Sequence, residues 1–118
     1  MPMKAAPMSS WHPICALSDI PANSGVAALI DGTQVAVVRI VDRHGTEADY
    51  ALPNFDPFSK AMVLSRGIVG SKGEVPFLAS PIYKQRFDLR TGACLDDATV
   101  TLPTFPVKVE GGQVLIAA

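Results

Sequence analysis

Soft metal donors are scarce in this sequence, and long apolar runs are missing. Two cysteines, Cys15 and Cys94, and two histidines, His12 and His44, are the only thiols and imidazoles in 118 residues. None stands at the short spacing of a zinc or cluster motif, so these residues build no metal site of that kind, and both cysteines are expected to be buried or idle thiols. The longest apolar run, Val35 to Val41, is broken by Arg39. It falls far short of the ~20 residues that span a bilayer, so no membrane partner is expected. Excess positive charge is missing too. The net charge of -1 excludes nucleic acid as the main partner, because phosphate binding draws on a surplus of Lys and Arg.

Catalytic constellations are equally absent. Arg66-Gly67-Ile68-Val69-Gly70 lacks the third glycine and the Lys-Ser/Thr of a phosphate loop, and its glycines are expected to form a turn. No serine lies in a nucleophile elbow, His12 falls beside a strand, and His44 falls in a turn. Asp96-Asp97 is the only carboxylate pair. It follows Thr91-Gly92 without the apolar neighbours that would raise a pKa for acid catalysis, and reads as solubilising. A chain with none of these works through a partner.

What the sequence does have is punctuation. Ten prolines and nine glycines separate runs of Val, Ile, Leu, Thr and Phe four to eight residues long, the pattern of short strands. Trp11 to Leu17 reads as a first strand. Val26 to Ile30 and Thr33 to Val41 flank Asp31-Gly32, a two-residue hairpin signal because both central positions of such a turn take positive φ. Asp42 to Gly45 turns into a strand at Glu47 to Leu52. Phe105 to Val109 and Gln113 to Ile116 flank Glu110-Gly111-Gly112, with Val107, Val109, Val114 and Ile116 alternating toward one face. No window carries a sustained helical period with caps; the best, Ser59 to Leu64, is too short for more than a turn.

The architecture expected is therefore all-β: an antiparallel β-sandwich or partly open barrel of about ten short strands, with a smaller loop-bearing subdomain over roughly Pro53 to Leu95. Its expected core includes Trp11, Leu29, Val35, Val37, Tyr50, Leu78, Phe87 and Val107. The first ten residues lack the apolar region of a secretory signal. A cytoplasmic protein is expected, with a frayed segment at 1–10 ahead of one domain at 11–118. Charge is uneven: Lys60, Arg66, Lys72, Lys84, Arg86 and Arg90 against Glu74 and Asp88 make the middle third +4, leaving -5 elsewhere. A basic stretch of this kind suits an acidic partner.

Two proline loops lie in that middle third, Asn54-Phe55-Asp56-Pro57-Phe58-Ser59 and Ala79-Ser80-Pro81-Ile82-Tyr83-Lys84, the second running into Arg86-Phe87-Asp88-Leu89-Arg90-Thr91-Gly92. This arrangement resembles the Rieske iron–sulfur (ISP) domain, in which a Cys-Pro-His loop and a Cys-Pro-x-His loop hold the cluster ahead of a Phe-Asp-Leu-x-Thr-Gly turn. Laid on this sequence, the four ligand positions fall on Asp56, Phe58, Ser80 and Tyr83. A Rieske centre takes two thiolates on one iron and two imidazoles on the other, and none of these residues supplies either. A working Rieske ferredoxin is excluded on ligand grounds.

The replaced loops, together with Trp11-His12-Pro13-Ile14-Cys15-Ala16-Leu17-Ser18-Asp19-Ile20-Pro21 and Leu64-Ser65-Arg66-Gly67-Ile68-Val69-Gly70, resemble the small subunit of assimilatory NADH-dependent nitrite reductase. The resemblance runs from Trp11 to about Ile116. It implies an accessory chain with no redox centre of its own. Its partner, the nitrite reductase large subunit, would bind FAD, a [4Fe-4S] cluster and sirohaem and reduce nitrite to ammonium. The alternative open at this stage is a stand-alone cluster-free Rieske-fold binding module for another oxidoreductase.

With no cluster between them, the loops are expected to be filled by Phe58 and Tyr83, which stand where the two histidines would converge. Phe55, Lys60, Arg66, Lys84 and Arg86 around this tip, with Phe58 and Tyr83, make an aromatic and basic set expected to dock on the large subunit.

Overall fold

A computed structural model describes residues 11–117. The expectation for the segment 1–10 lies outside the described residues. Among the described residues eleven strands run in chain order: β1 (Trp11–Ala16), β2 (Ser24–Ile30), β3 (Thr33–Val41), β4 (Glu47–Pro53), β5 (Phe55–Asp56), β6 (Ala61–Met62), β7 (Ile68–Lys72), β8 (Val75–Ala79), β9 (Arg86–Asp88), β10 (Val107–Glu110) and β11 (Gln113–Ala117). Single 3-10 turns occupy Leu17–Asp19 and Leu64–Arg66. The strands form three three-stranded sheets, β10-β11-β1, β2-β3-β4 and β9-β8-β7, and a small β5-β6 ribbon. All pairs are antiparallel.

Turn chemistry sets the registers. Asp31 and Gly32 take φ of 48° and 83°, so β2 and β3 close tightly with Ile30 opposite Thr33, as the right-handed strand twist demands. Gly111 and Gly112, at 57° and 78°, do the same for β10 and β11. At the β3-β4 turn, the Asp42 carboxylate accepts the backbone N–H groups of His44 and Thr46 at 2.8 and 2.9 Å. These bonds hold its pKa below the ordinary carboxylate value.

The unbroken run Val35–Val38 is explained by its place between two cores. Val35 and Val37 face a cluster with Ile20, Ile30, Ala51, Val114 and Ile116. Ala36 and Val38 face the other, with Leu52, Leu64, Leu78, Phe87, Leu89, Cys94 and Leu102. A strand covered on both faces has no polar position to alternate with. Each large side chain buried here contributes roughly 1.5 to 3 kcal/mol.

Four of the eight expected core residues, Val35, Val37, Leu78 and Phe87, are buried. Trp11, Tyr50 and Val107 are only half-buried, and the Trp11 ring carries Lys108 Nζ 4.3 Å from its centroid. Leu29 is 70 % exposed, a correction with a simple cause. Adjacent strand residues point to opposite faces, and its neighbour Ile30 is the buried one. Leu29→Thr should therefore change stability by no more than about 0.5 kcal/mol, read as an unchanged urea midpoint. The C-terminal hairpin also departs from expectation: Phe105 precedes β10 and bridges to Ala51, and Val109 is 39 % exposed.

Candidate functional site

The two proline loops meet at one end of the molecule. The first is bracketed by β5 and β6, where Asp56 pairs with Ala61. The second is bracketed by β8 and β9, where Ala79 pairs with Arg86 and the Ser80 N–H donates to the Gln85 carbonyl at 2.9 Å. Each sits on paired backbone, which lends it rigidity.

Asp56 and Ser80, which the resemblance sets at two of the four ligand positions, are both fully buried. They face each other. Ser80 Oγ donates to Asp56 Oδ2 at 2.5 Å, Ser59 Oγ donates to the same oxygen at 2.8 Å, and the Phe58 N–H donates to Oδ1 at 2.9 Å. Burial pushes the Asp56 carboxyl up, but the hydrogen bonds from Ser80, Phe58 and Ser59 outweigh it and its pKa lies below the ordinary value. The carboxylate is thus saturated with donors and joins one loop to the other.

Phe58 and Tyr83 do not fill the space between the loops as expected. Phe58 turns inward, its ring 6.2 Å from that of Phe87, against the larger core. Tyr83 is 60 % exposed. The contact between the loops is made by Asp56 and Ser80 instead. The four positions therefore do not fit a [2Fe-2S] cluster: two offer oxygens already committed to each other, one a packed phenyl ring, and one a phenol in solvent. Among the described residues, no three His, Cys, Asp or Glu side chains converge into a metal site.

Around the tip the basic residues separate into two groups. Arg86 is held by Asp96: its Nη2 donates to Oδ1 at 2.7 Å, its Nε to Oδ2 at 3.1 Å and its backbone N–H to Oδ2 at 2.8 Å. Those bonds bring the Asp96 pKa down to about 2. The guanidinium also lies 5.7 Å from the Phe77 ring centroid. Asp96 is thus a positioning residue for β9 and not a solubilising one, and Arg86 is less available for docking than the sequence implied. Its neighbour Asp97 accepts the Thr99 hydroxyl and N–H. Lys60, Arg66 and Lys84 make no salt bridge among the described residues. Phe55 is half-buried opposite Met62, while Met62, Ile68 and Ile82 are exposed.

Asn54 was not singled out by its sequence, yet it fixes the root of the first loop. Its Nδ2 donates to Gln34 Oε1 at 3.0 Å and its Oδ1 accepts the Ser65 N–H at 2.7 Å, tying β3, the loop and the 3-10 turn together. The Gly67 and Gly70 pair does not form one turn: Gly67 follows the 3-10 turn, packed against the Ala79 carbonyl, and Gly70 lies in β7 under the Phe77 ring. A groove of about 780 Å³ opens between the β3-β4 and β7-β8 turns, lined by Tyr50, Arg43, Glu74 and Arg90. It lies at the far end of β3 from the loops, and opposite charges are mixed along it.

Comparison with known proteins accords with this geometry. Residues 10–117 match the family described as Rieske-like [2Fe-2S] domain. The nitrite reductase (NADH) small subunit of Salmonella typhimurium is 38 % identical over 107 residues, covering 91 % of this chain and 96 % of that protein. The nitrite reductase [NAD(P)H] large subunit of Klebsiella oxytoca is 41 % identical over 112 residues, and this chain spans 11 % of its length. Among solved structures, the nitrite reductase [NAD(P)H] small subunit of Erwinia carotovora superposes with a TM-score of 0.73 at 40 % identity, covering 94 % of this chain and 83 % of that one. The ferredoxin of carbazole 1,9a-dioxygenase from Nocardioides aromaticivorans superposes at 0.76 with 26 % identity, over 92 % and 97 %. A Rieske-like fold, with similarity to these small subunits over nearly the full length, places the chain in the family of nitrite reductase (NADH) small subunits.

Proposed function

We propose that this chain is a non-catalytic accessory subunit of NADH-dependent nitrite reductase, carrying no redox centre and acting by docking on the large subunit in the cytoplasm. The observation that carries the proposal is the Asp56–Ser80 lock. It retains the two-loop tip of a Rieske domain while removing the donors a cluster takes, so what survives is a shaped surface. The tip set of Phe55, Phe58, Lys60, Arg66, Tyr83, Lys84 and Arg86 remains the proposed docking surface. Exposed Tyr83, Lys60 and Lys84 are its contact points, and inward Phe58 and paired Arg86 support them.

A second fact supports a large-subunit partner: in the Klebsiella oxytoca large subunit, a segment of similar sequence lies within the same polypeptide. Reduction of nitrite to ammonium by FAD, [4Fe-4S] and sirohaem then belongs to the large chain, and no electron passes through this one.

The test is reconstitution. The large subunit is purified alone and with this chain, and nitrite-dependent NADH oxidation is measured for both, alongside the iron content of this chain. The expected result is stable co-purification, a higher rate with the small chain present, and no iron in the small chain itself. A full rate from the large subunit alone, or stoichiometric iron with a Rieske-type EPR signal in this chain, contradicts the proposal.

A further inference from the structure

The two tip loops share one local geometry. Asp56-Pro57-Phe58-Ser59-Lys60 and Ser80-Pro81-Ile82-Tyr83-Lys84 each begin with a buried polar residue, continue with proline and an apolar residue, and end in lysine. In each, the first side chain accepts the N–H of the third residue, Phe58 to Asp56 Oδ1 at 2.9 Å and Ile82 to Ser80 Oγ at 3.2 Å. In each, the first carbonyl accepts the N–H of the lysine, at 2.8 Å for Lys60 and 3.1 Å for Lys84.

Both lysines then adopt left-handed backbone, with φ of 62° and 67°. Glycine occupies that conformation without cost, and lysine does not. The same expensive choice at the same place in both loops points to the side chain as the reason. Both are exposed and neither meets a carboxylate among the described residues; Lys84 Nζ reaches only the Pro81 carbonyl, at 3.0 Å. Because the loops are fastened together at Asp56 and Ser80, the lysines flank one shared tip. Ile82 and Tyr83, which precede Lys84 in the second loop, are exposed too.

We infer that Lys60 and Lys84 form a two-pronged cationic clamp for an acidic segment of the partner, with Ile82 and Tyr83 as its apolar centre. This rests on the docking role proposed above and adds the chemistry of the surface it meets: carboxylates on either side of an apolar recess. Charge complementarity of this kind steers encounter and sets orientation, and salt screens it.

Glycine substitution separates the two possible reasons for lysine at these positions. Lys60→Gly and Lys84→Gly remove the cation while relieving the backbone, so the melting temperature should hold or rise. Binding of the full chain to the purified large subunit, measured by calorimetry at low and high salt, should weaken roughly threefold to tenfold per substitution at low salt. The double variant should show a shallower dependence of affinity on salt, and Lys60→Arg with Lys84→Arg should retain binding. A double glycine variant that binds the large subunit like the parent overturns the clamp and leaves the docking role standing. A parent chain that does not bind the large subunit overturns both.

Discussion

Gly92→Ala is expected to destabilise the fold by about 3 to 5 kcal/mol, a large share of the 5 to 15 kcal/mol that holds a domain of this size together. Two independent penalties add. Gly92 has a φ of +81°, and a Cβ there would lie 1.9 Å from the Leu102 carbonyl oxygen and 2.9 Å from its carbonyl carbon. Left-handed backbone alone costs an alanine roughly 1 to 2 kcal/mol. The clash is with backbone, and that backbone cannot withdraw: the Leu102 N–H donates to the Gly92 carbonyl at 2.8 Å, the Gly92 N–H donates to the Asp88 carbonyl at 2.7 Å, and Ala93 bridges to Thr101. Leu102 and Leu89 are buried in the larger core, so displacement there is felt by packed side chains. Gly32→Ala supplies the control, since its φ is +83° but nothing lies within 4 Å of the added carbon. It should lose only the backbone share. Thermal unfolding of the two variants measures the difference, expected on the order of 10 °C for a chain of this length; equal melting temperatures would show that the contact with Leu102 relaxes freely.

How much of this was legible in the sequence depends on the range of the interaction. The Asp31-Gly32 turn was read because the residues that need positive φ are also the residues that name the turn; the C-terminal turn was read one residue too long, since Glu110 is in the strand, opposite Gln113. The double-sided burial of Val35–Val38 appeared as an unbroken apolar run. Leu29 was misplaced because Val26–Ile30 is apolar throughout, so composition alone does not give the phase of the alternation; Ile30 took the inward position. The loops of the tip were found from their prolines, but not what joins them. Ser80 and Asp56 lie 24 residues apart, and no local pattern marks one as the partner of the other. The Asp96 contact with Arg86, ten residues away, was hidden for the same reason, and a carboxylate pair in a loop read as solvated. Only the local part of the lock, Asp56 accepting from Phe58 and Ser59, follows a sequence signal: an Asp ahead of proline with a serine three residues on, the habit of a side chain that caps its own turn.

Asp56→Ala should be the most damaging change at the tip, with an expected loss of about 3 kcal/mol. Removing the carboxylate strands the Ser80 hydroxyl, the Ser59 hydroxyl and the Phe58 N–H together, and each buried donor left without a partner costs roughly 1 to 3 kcal/mol unless water reaches it. Ser80 is fully buried, so its donor fares worst. Ser80→Ala removes one of the three bonds to Asp56 and the Ile82 N–H bond to Ser80 Oγ, and should cost about 1 to 2 kcal/mol; the double variant should lose less than the two singles added, because both break the same contact. Titration distinguishes a charged lock from a neutral one. The folded-state pKa of Asp56 lies below its ordinary value of 3.8, so its contribution is fully present above that value and is lost as pH falls through the folded-state pKa. Asp56→Asn keeps the shape but cannot titrate, so the stability gap between parent and Asn variant should be open at pH 7 and close in acid. The other depressed carboxylates, Asp42, Asp88, Asp96 and Asp97, are common to both proteins and cancel in the comparison. Urea unfolding from about pH 7 down to about pH 3 reads the gap directly. A gap that stays constant over that range would mean that folding leaves the Asp56 pKa unchanged, and a gap that shifts in the parent's favour as pH falls would mean that the lock between the loops holds a neutral carboxyl.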